Sequence, residues 1–352
     1  MKLPGLNSLM YFALALMFLL VANVNAVETQ SVEFKSVPVF QGDNAELHNL
    51  EGFLTKPDGK GPFPAVVLLH TCGGPSETTT KFWPAFLAKQ GYVTLAVDSM
   101  GPRGINPGRC QPLLKNKKLV SRDAYGALEY LAGLPYVNES KVAAIGYSLG
   151  GIVINFFARQ EYKTPKGLNF RAAISVYGHC SIRRPGSPAY TSSPKIPLIF
   201  VLGDKEQPRF FDSCINVERF PDTERHVLKG IYHAFDNPDY TSIREDSAGN
   251  PMLYSEKGTK QAMEVIKNSL AKYILKGEAP LSNIEMKSQI QASDEPVGPT
   301  GRTPSQVISF MDKDGDDKIS ESEWRGPERS FNFIDINKDG YLVREEFIAK
   351  WR

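Results

Sequence analysis

The stretch Val142-Ala143-Ala144-Ile145-Gly146-Tyr147-Ser148-Leu149-Gly150-Gly151-Ile152-Val153 runs an apolar segment into Gly-x-Ser-x-Gly and on into a helix-compatible segment. It reads as a buried strand, a sharp turn with a serine at its apex, and a helix. Gly146 and Gly150 flank the serine because a turn this tight needs neighbours without Cβ atoms. Such a turn lifts the Ser148 hydroxyl clear of the sheet and aims the Leu149 N–H at whatever the hydroxyl attacks.

Outward from this stretch, strand and helix patterns alternate. Segments 32–40 and 47–55 read as two leading strands around the polar turn Gln41-Gly42-Asp43-Asn44. Pro64 to Leu69 is an unbroken apolar run of the kind buried on both faces of a parallel sheet, and it ends in the loop His70-Thr71-Cys72-Gly73-Gly74-Pro75. A helix is expected over 80–90, a strand over 93–97 and a helix over 120–134; after the serine turn come a helix to about 159, strands at 172–177, 197–202 and 226–228, and a helix over 259–275. This alternation argues for a mostly parallel sheet covered on both faces. From 277 to 302 the apolar periodicity disappears and Pro, Gly, Ser and charges dominate, which predicts a linker after a first domain over 27–276.

The chain has 352 residues, 41% of them hydrophobic, enough for a full core. Residues 1–26 read as a signal peptide: Lys2 is the sole charge, Leu9 to Ala22 is apolar, and Val24-Asn25-Ala26 offers small residues for cleavage. That apolar run is shorter than the ~20 residues that span a bilayer, so no stable membrane insertion is expected once it is removed. The expected location is the periplasm or the exterior. Val27, not Cys, stands immediately after the cleavage point, which argues against a lipid anchor. Without Lys2 the chain carries 40 basic and 39 acidic side chains, a balance that gives no reason to expect nucleic acid as a partner.

A serine hydroxyl is a poor nucleophile at neutral pH, so it needs a base to take its proton and an acid to orient that base. In strand-turn-helix hydrolytic sites the acid and then the histidine follow the serine. Of the five histidines, His226 falls inside a strand pattern, whereas His233 in Tyr232-His233-Ala234-Phe235-Asp236 sits in a loop past the last strand, where the base belongs. Asp204 and Glu206 both stand after the strand 197–202. The spacing Gly-x-x-carboxylate from Gly203 selects Glu206, with Asp204 as the alternative. Acyl transfer develops negative charge on oxygen and needs at least two N–H donors. Leu149 supplies one, and Thr71 or Cys72, freed to bend by Gly73-Gly74, supplies the other. His70 reads as a structural histidine near the site.

The runs Leu68-Leu69-His70-Thr71-Cys72-Gly73-Gly74, Asp98-Ser99-Met100-Gly101-Pro102-Arg103-Gly104, Gly146-Tyr147-Ser148-Leu149-Gly150-Gly151 and Tyr232-His233-Ala234-Phe235-Asp236-Asn237-Pro238 resemble the dienelactone hydrolase family over about residues 45–275. The resemblance implies an α/β-hydrolase fold and cleavage of a lactone or ester through a triad. The family's namesake enzymes carry a Cys nucleophile and an Asp acid where this chain has Ser148 and Glu206. Four cysteines fall in this region and allow three pairings. Cys72 with Cys110 and Cys180 with Cys214 would tie loops at the carboxyl end of the sheet; free buried thiols are the alternative. The cluster Arg109, Lys115, Lys117, Lys118 and Arg122 reads as a solvated surface rather than a docking site for an acidic substrate.

The last 50 residues, 303–352, change character. Asp335-Ile336-Asn337-Lys338-Asp339-Gly340-Tyr341-Leu342-Val343-Arg344-Glu345-Glu346 fits an EF-hand calcium loop. Asp335, Asn337 and Asp339 stand at its positions 1, 3 and 5, Gly340 at 6, the Tyr341 carbonyl at 7 and Glu346 at 12. In 312–323, Asp312, Asp314, Asp316, the Lys318 carbonyl and Glu323 take the equivalent places, with Asp317 where glycine is usual. The loops start 23 residues apart, leaving room for only a short helix between Trp324 and Ile334. Taken together, the chain reads as an exported serine hydrolase acting on a small-molecule ester or lactone, with an all-α calcium module that could dock a protein partner. A non-catalytic scaffold with a calcium-dependent docking module, and a peptidase or acyltransferase using the same triad, are the rival readings.

Overall fold

The computed structural model describes residues 29–162, 164–180, 192–215, 223–275, 304–312, 318–336 and 338–351. The expected signal peptide over 1–26 and linker over 277–302 lie outside the described residues. The chain divides into two compact units, Met1–Pro280 and Leu281–Arg352.

The first unit is built on the strands β1 (Thr29–Lys35), β2 (Asn49–Thr55), β3 (Phe63–Leu69), β4 (Val93–Asp98), β5 (Val137–Tyr147), β6 (Ala172–Val176), β7 (Leu198–Gly203) and β8 (Thr223–Leu228). They lie in the order β1-β2-β4-β3-β5-β6-β7-β8. β1 pairs antiparallel with β2 and β2 with β4, and the remaining pairings are parallel. Helices α1 (Trp83–Lys89), α2 (Gln111–Lys115), α3 (Lys117–Ala132), α4 (Leu149–Phe157), α5 (Pro208–Ile215) and α6 (Glu256–Leu270) connect or follow them. Alternate residues of β3 enter two different cores. Ala65, Val67 and Leu69 pack with Ala124, Leu128 and Val153 of α3 and α4, while Val66 and Leu68 pack with Trp83, Leu87, Ala262 and Ile266 of α1 and α6. Burial on both faces is why β3 reads as an uninterrupted apolar run.

Element boundaries differ from the sequence expectation where backbone hydrogen bonds are diverted. β1 starts at Thr29 and ends at Lys35, because Pro38 lacks an N–H and the Val37 N–H donates to the Arg122 carbonyl at 3.2 Å instead of a strand neighbour. A π turn over Thr78–Phe82 leads into α1, and another over Ala271–Leu275 ends α6. Arg122, expected at a solvated surface, is buried and grips Asp43 through two hydrogen bonds of 2.8 and 2.6 Å. A small hairpin of β9 (Arg244–Glu245) and β10 (Pro251–Met252) follows β8.

The second unit holds α7 (Pro304–Met311), β11 (Ile319–Ser320), α8 (Glu328–Ile334), β12 (Tyr341–Leu342) and α9 (Arg344–Trp351). Its core joins Val307, Ile308, Ile319, Phe331, Ile334, Leu342 and Phe347. The unit is not purely helical: β11 and β12 form a two-residue antiparallel pair with Ile319 opposite Leu342.

Gly126 lies inside α3, where glycine costs about 1 kcal/mol relative to alanine. A Cβ there would collide with the Lys35 carbonyl and the Ser36 backbone, so the helix crosses the end of β1 at a distance only glycine permits. Overpacking of this kind costs about 1–3 kcal/mol and outweighs the gain in helix propensity. Gly126→Ala is therefore expected to lower the thermal unfolding midpoint in calorimetry, and a rise would contradict the close-packing account.

Candidate active site

Ser148 occupies the junction between β5 and α4 with φ 49° and ψ −106°, a left-hand-side conformation that costs a non-glycine residue on the order of 1–3 kcal/mol. The surrounding backbone holds it there. Ser148 N–H donates to the Val176 carbonyl at 3.0 Å and Gly150 N–H to the His70 carbonyl at 3.1 Å. A Cβ on Gly146 would strike the Gly150 backbone, and one on Gly150 would strike the Leu69 carbonyl. Both glycines are thus required by close approach, as the sequence suggested.

The His233 ring stands between Ser148 and Glu206. Its Nδ1 lies 3.2 Å from Glu206 Oε2 and its Nε2 3.0 Å from Ser148 Oγ. A carboxylate can only accept, so Nδ1–H donates to Glu206 and Nε2 is left to accept from the serine hydroxyl. His233 and Glu206 are both 5% exposed, whereas Ser148 is partly open. The other Glu206 oxygen accepts the Gly203 N–H at 3.1 Å. Gly203 itself sits where a Cβ would strike the Ile231 carbonyl, so the acid turn and the loop before His233 meet without a side chain between them. Asp204, the alternative acid, points elsewhere: it is partly exposed and accepts the Gly230 N–H at 2.6 Å.

The N–H groups proposed for charge stabilisation come from converging loops. Leu149 is the first residue of α4, and a first-turn N–H has no intrahelical acceptor. The bond from Gly150 to the His70 carbonyl brings the Thr71-Cys72 loop against this helix start. His70 is structural, as expected. It is buried, Nδ1 donates to the Thr71 carbonyl at 2.6 Å, Nε2 accepts the Ser99 N–H at 3.2 Å, and burial pushes its pKa below the ordinary imidazole value. Arg103 fixes the same loop by donating to the Ser99 carbonyl and, in two bonds of 2.8 Å, to Asp123. Disulfides join Cys72 to Cys110 and Cys180 to Cys214, the pairing that ties loops at the carboxyl end of the sheet.

Three groups escaped the sequence reading. The β9–β10 hairpin clamps His233, whose N–H donates to the Pro251 carbonyl at 3.1 Å. Asn250, wholly buried in that hairpin, accepts the Gln207 N–H at 2.9 Å and so links the turn that holds Glu206 to the hairpin against His233. No local pattern marks Asn250. Asp236, three residues after the base, is buried and accepts from Trp83 Nε1 and the Tyr177 hydroxyl, both at 2.7 Å. Its place in the sequence Ala-Phe-Asp, an acid beside apolar residues, was the one available signal.

A model of the dienelactone hydrolase family matches residues 50–274. The chain belongs to the dienelactone hydrolase family. Among curated members of this wider kinship, dipeptidyl-peptidase 5 of Schizosaccharomyces pombe is 29% identical over 137 residues, covering 36% of this chain and 19% of the peptidase. Esterase FrsA of Enterobacter sp. (strain 638) is 28% identical over 140 residues, covering 39% of this chain and 31% of the esterase. The chain thus matches less than a third of either relative's length. A dienelactone hydrolase-like promiscuous phosphotriesterase from metagenomic libraries superposes with a TM-score of 0.53 at 20% identity, covering 70% of this chain and 98% of that one. At that identity the likeness concerns the fold.

In the second unit of this family member, several acidic side chains of the two loops turn inward. Asp335, Glu346 and Glu323 are buried. Glu346 accepts the Ile336 N–H at 2.8 Å and the Val343 N–H at 3.1 Å, and Asp335 Oδ2 accepts the Gly340 N–H at 3.1 Å. Asp335 Oδ1 is buried without a hydrogen-bond partner among the described residues. Gly340 has φ 83°, a left-handed conformation that glycine adopts freely. Asp339 accepts the Tyr341 N–H at 2.9 Å, and Glu323 accepts from the Ser320 N–H and hydroxyl at 2.9 and 2.8 Å. Asp312 donates its N–H to the Ile308 carbonyl, and Lys318 lays its ammonium 5.3 Å from the Tyr341 ring centre. Asp314, Asp316 and Asn337 lie outside the described residues, and among the described residues no three His, Cys, Asp or Glu converge closely enough to hold a metal.

The two candidate acids separate by experiment. Glu206→Gln removes the charge facing His233 and is expected to slow fluorophosphonate labelling of Ser148 by roughly 10³-fold, while Asp204→Asn leaves the labelling rate within about twofold. The opposite ranking, read by intact-mass kinetics, would reassign the acid.

Proposed function

We propose that the protein is an exported serine hydrolase that cleaves a carboxylic ester or lactone, and that its C-terminal module binds calcium. The observation that carries the catalytic reading is the unbroken sequence of short contacts from Glu206 through His233 to Ser148. Ser148 Oγ attacks the carbonyl carbon as His233 Nε2 takes the hydroxyl proton, and Glu206 stabilises the imidazolium that forms. The negative oxygen of the tetrahedral intermediate receives hydrogen bonds from the Leu149 N–H and from Thr71 or Cys72. Collapse expels the alcohol, which takes its proton from His233, and leaves an acyl group on Ser148. Water activated by the same imidazole then releases the acid and restores the serine.

The two disulfides support an oxidising compartment, in keeping with the expected signal peptide. Among the described residues no helix is long and apolar enough to cross a membrane.

The calcium reading rests on the donor chemistry. Hard oxygen donors suit Ca²⁺, and Asp335 Oδ1, buried with no hydrogen-bond partner among the described residues, is a donor of that kind. The pairing of Ile319 with Leu342 joins the eighth positions of the two loops, as expected of loops that fold together. Asp335, Asn337, Asp339, the Tyr341 carbonyl and Glu346 would hold one ion, and Asp312, Asp314, Asp316, the Lys318 carbonyl and Glu323 the other. The ion would cross-link loop and helix without entering the hydrolytic steps. A protein partner for this module is the associated proposal.

Two outcomes test these readings. Ser148→Ala should lower turnover of p-nitrophenyl butyrate by about 10⁴-fold or more, and retained turnover would dismiss Ser148 as the nucleophile. A panel of lactones, esters and peptide amides separates ester cleavage from peptidase action. In a calorimetric calcium titration, the loop ending at Glu346 should fill at lower calcium than the loop ending at Glu323, because Asp317 must make the turn that Gly340 makes freely. The reverse order, assigned with Glu346→Gln and Glu323→Gln, would refute it.

A further inference from the structure

Asp236 has no part in the steps above, yet its environment is unusual. It is 3% exposed, and its carboxylate accepts hydrogen bonds from Trp83 Nε1, from the Tyr177 hydroxyl and from its own backbone N–H. These donors are neutral, and no lysine or arginine pairs with it among the described residues. A buried carboxylate held only by neutral donors is costly. Burial accordingly raises its pKa above the ordinary value, against the opposing pull of the Trp83 and Tyr177 bonds. A carboxyl raised by folding contributes stability that is present below its unfolded pKa and lost as pH rises through the folded one. Ionising this group in the folded protein therefore costs stability rather than adding it.

Its two partners are the residues that pack the reacting groups. The Tyr177 ring meets the His233 imidazole edge to face, with centroids 4.9 Å apart. The Trp83 ring stacks at 5.5 Å on Tyr147, the residue immediately before Ser148. Tyr177 has φ 40° and Ala234, next to the base, has φ 50°, so both loops are held in conformations that need an external restraint.

We propose that Asp236 is a positioning residue: by gripping Trp83 and Tyr177 at once, its carboxylate locks an aromatic wall against His233 and Tyr147 and keeps the imidazole over Ser148. The role rests on the catalytic reading of Ser148. The ionisable groups around the wall are Glu206 and Ser148 on the imidazole, Tyr177 and Tyr147 beside Asp236, and His179, which burial, aided by Lys117 and His233, pushes down to about 4 and so keeps neutral. Among the described residues, the cation that acts on Asp236 is His233 when it is protonated.

The test uses the full chain and p-nitrophenyl butyrate, with active sites counted by fluorophosphonate titration. Tyr177→Phe deletes one bond and leaves the ring; Asp236→Asn keeps the shape and removes the charge. Each should lower kcat per titrated site by about tenfold or more with KM changed less than about twofold. The double variant should be no worse than the poorer single one within about twofold, since both act through one contact. The thermal midpoint of Asp236→Asn at pH 7 should not fall, which separates positioning from a merely structural role. If kcat per site stays within twofold of wild type in Tyr177→Phe, or the two changes multiply independently, the proposal is overturned, and Tyr177→Phe decides alone should Asp236→Asn fail to fold. A wild type whose turnover survives Ser148→Ala removes the catalytic reading itself and this role with it, an outcome visible before any variant at 177 or 236 is made.

Discussion

At Gly150 the start of α4 rests on the Leu69 carbonyl with no room for a Cβ. Gly146 abuts the same turn of helix from the strand side. Between them the chain has one way to reverse, and it forces Ser148 to φ 49°. The strain is offset by burial of Ile145 and Tyr147 on one side and Val153 and Ile154 on the other. An apolar strand and an apolar helix, both anchored in the core, thus present a polar atom that neither would bury. The hydroxyl is raised by backbone geometry, and its reactivity depends on what the other loops bring to it.

Those loops come from far along the chain. β7 ends at Gly203, where the lack of a side chain lets the acid turn lie on the Ile231 carbonyl. β8 delivers the chain to His233, and the β9–β10 hairpin closes over it through Pro251 and Asn250. The parallel sheet fixes the relative positions of the three strand ends, and hydrogen bonds from backbone to backbone correct the last ångström. Two disulfides hold the neighbouring loops at the same edge. The site is therefore assembled mainly from main-chain groups, with few side chains left to carry chemistry.

How much of this could be read beforehand depends on the range of the interaction concerned. The serine turn, the alternating strands and the placing of Glu206, rather than Asp204, against His233 were legible, because Gly-x-Ser-x-Gly and Gly203-x-x-Glu206 encode local geometry in adjacent residues. The extent of β1 was misread, since the diversion of Val37 to Arg122 is a tertiary event 85 residues apart in sequence. Arg122 itself looked like one of several surface cations until Asp43 was found against it. The short helices α2 and α5 and the hairpin around Asn250 are too brief to carry periodicity. Asp236 was hidden for a different reason: its partners, Trp83 and Tyr177, stand 153 and 59 residues away, and only the apolar Ala234-Phe235 beside it hints that it is buried.

The claim on which the functional account turns is that the Ser148 hydroxyl faces two convergent N–H donors and the His233 imidazole. A crystal structure of the protein after reaction with a fluorophosphonate tests it most directly. The account predicts phosphorus bonded to Ser148 Oγ and a phosphoryl oxygen within hydrogen-bond distance of the Leu149 N–H and of Thr71 or Cys72. An adduct on another residue, or a phosphoryl oxygen turned to solvent away from these donors, would contradict it.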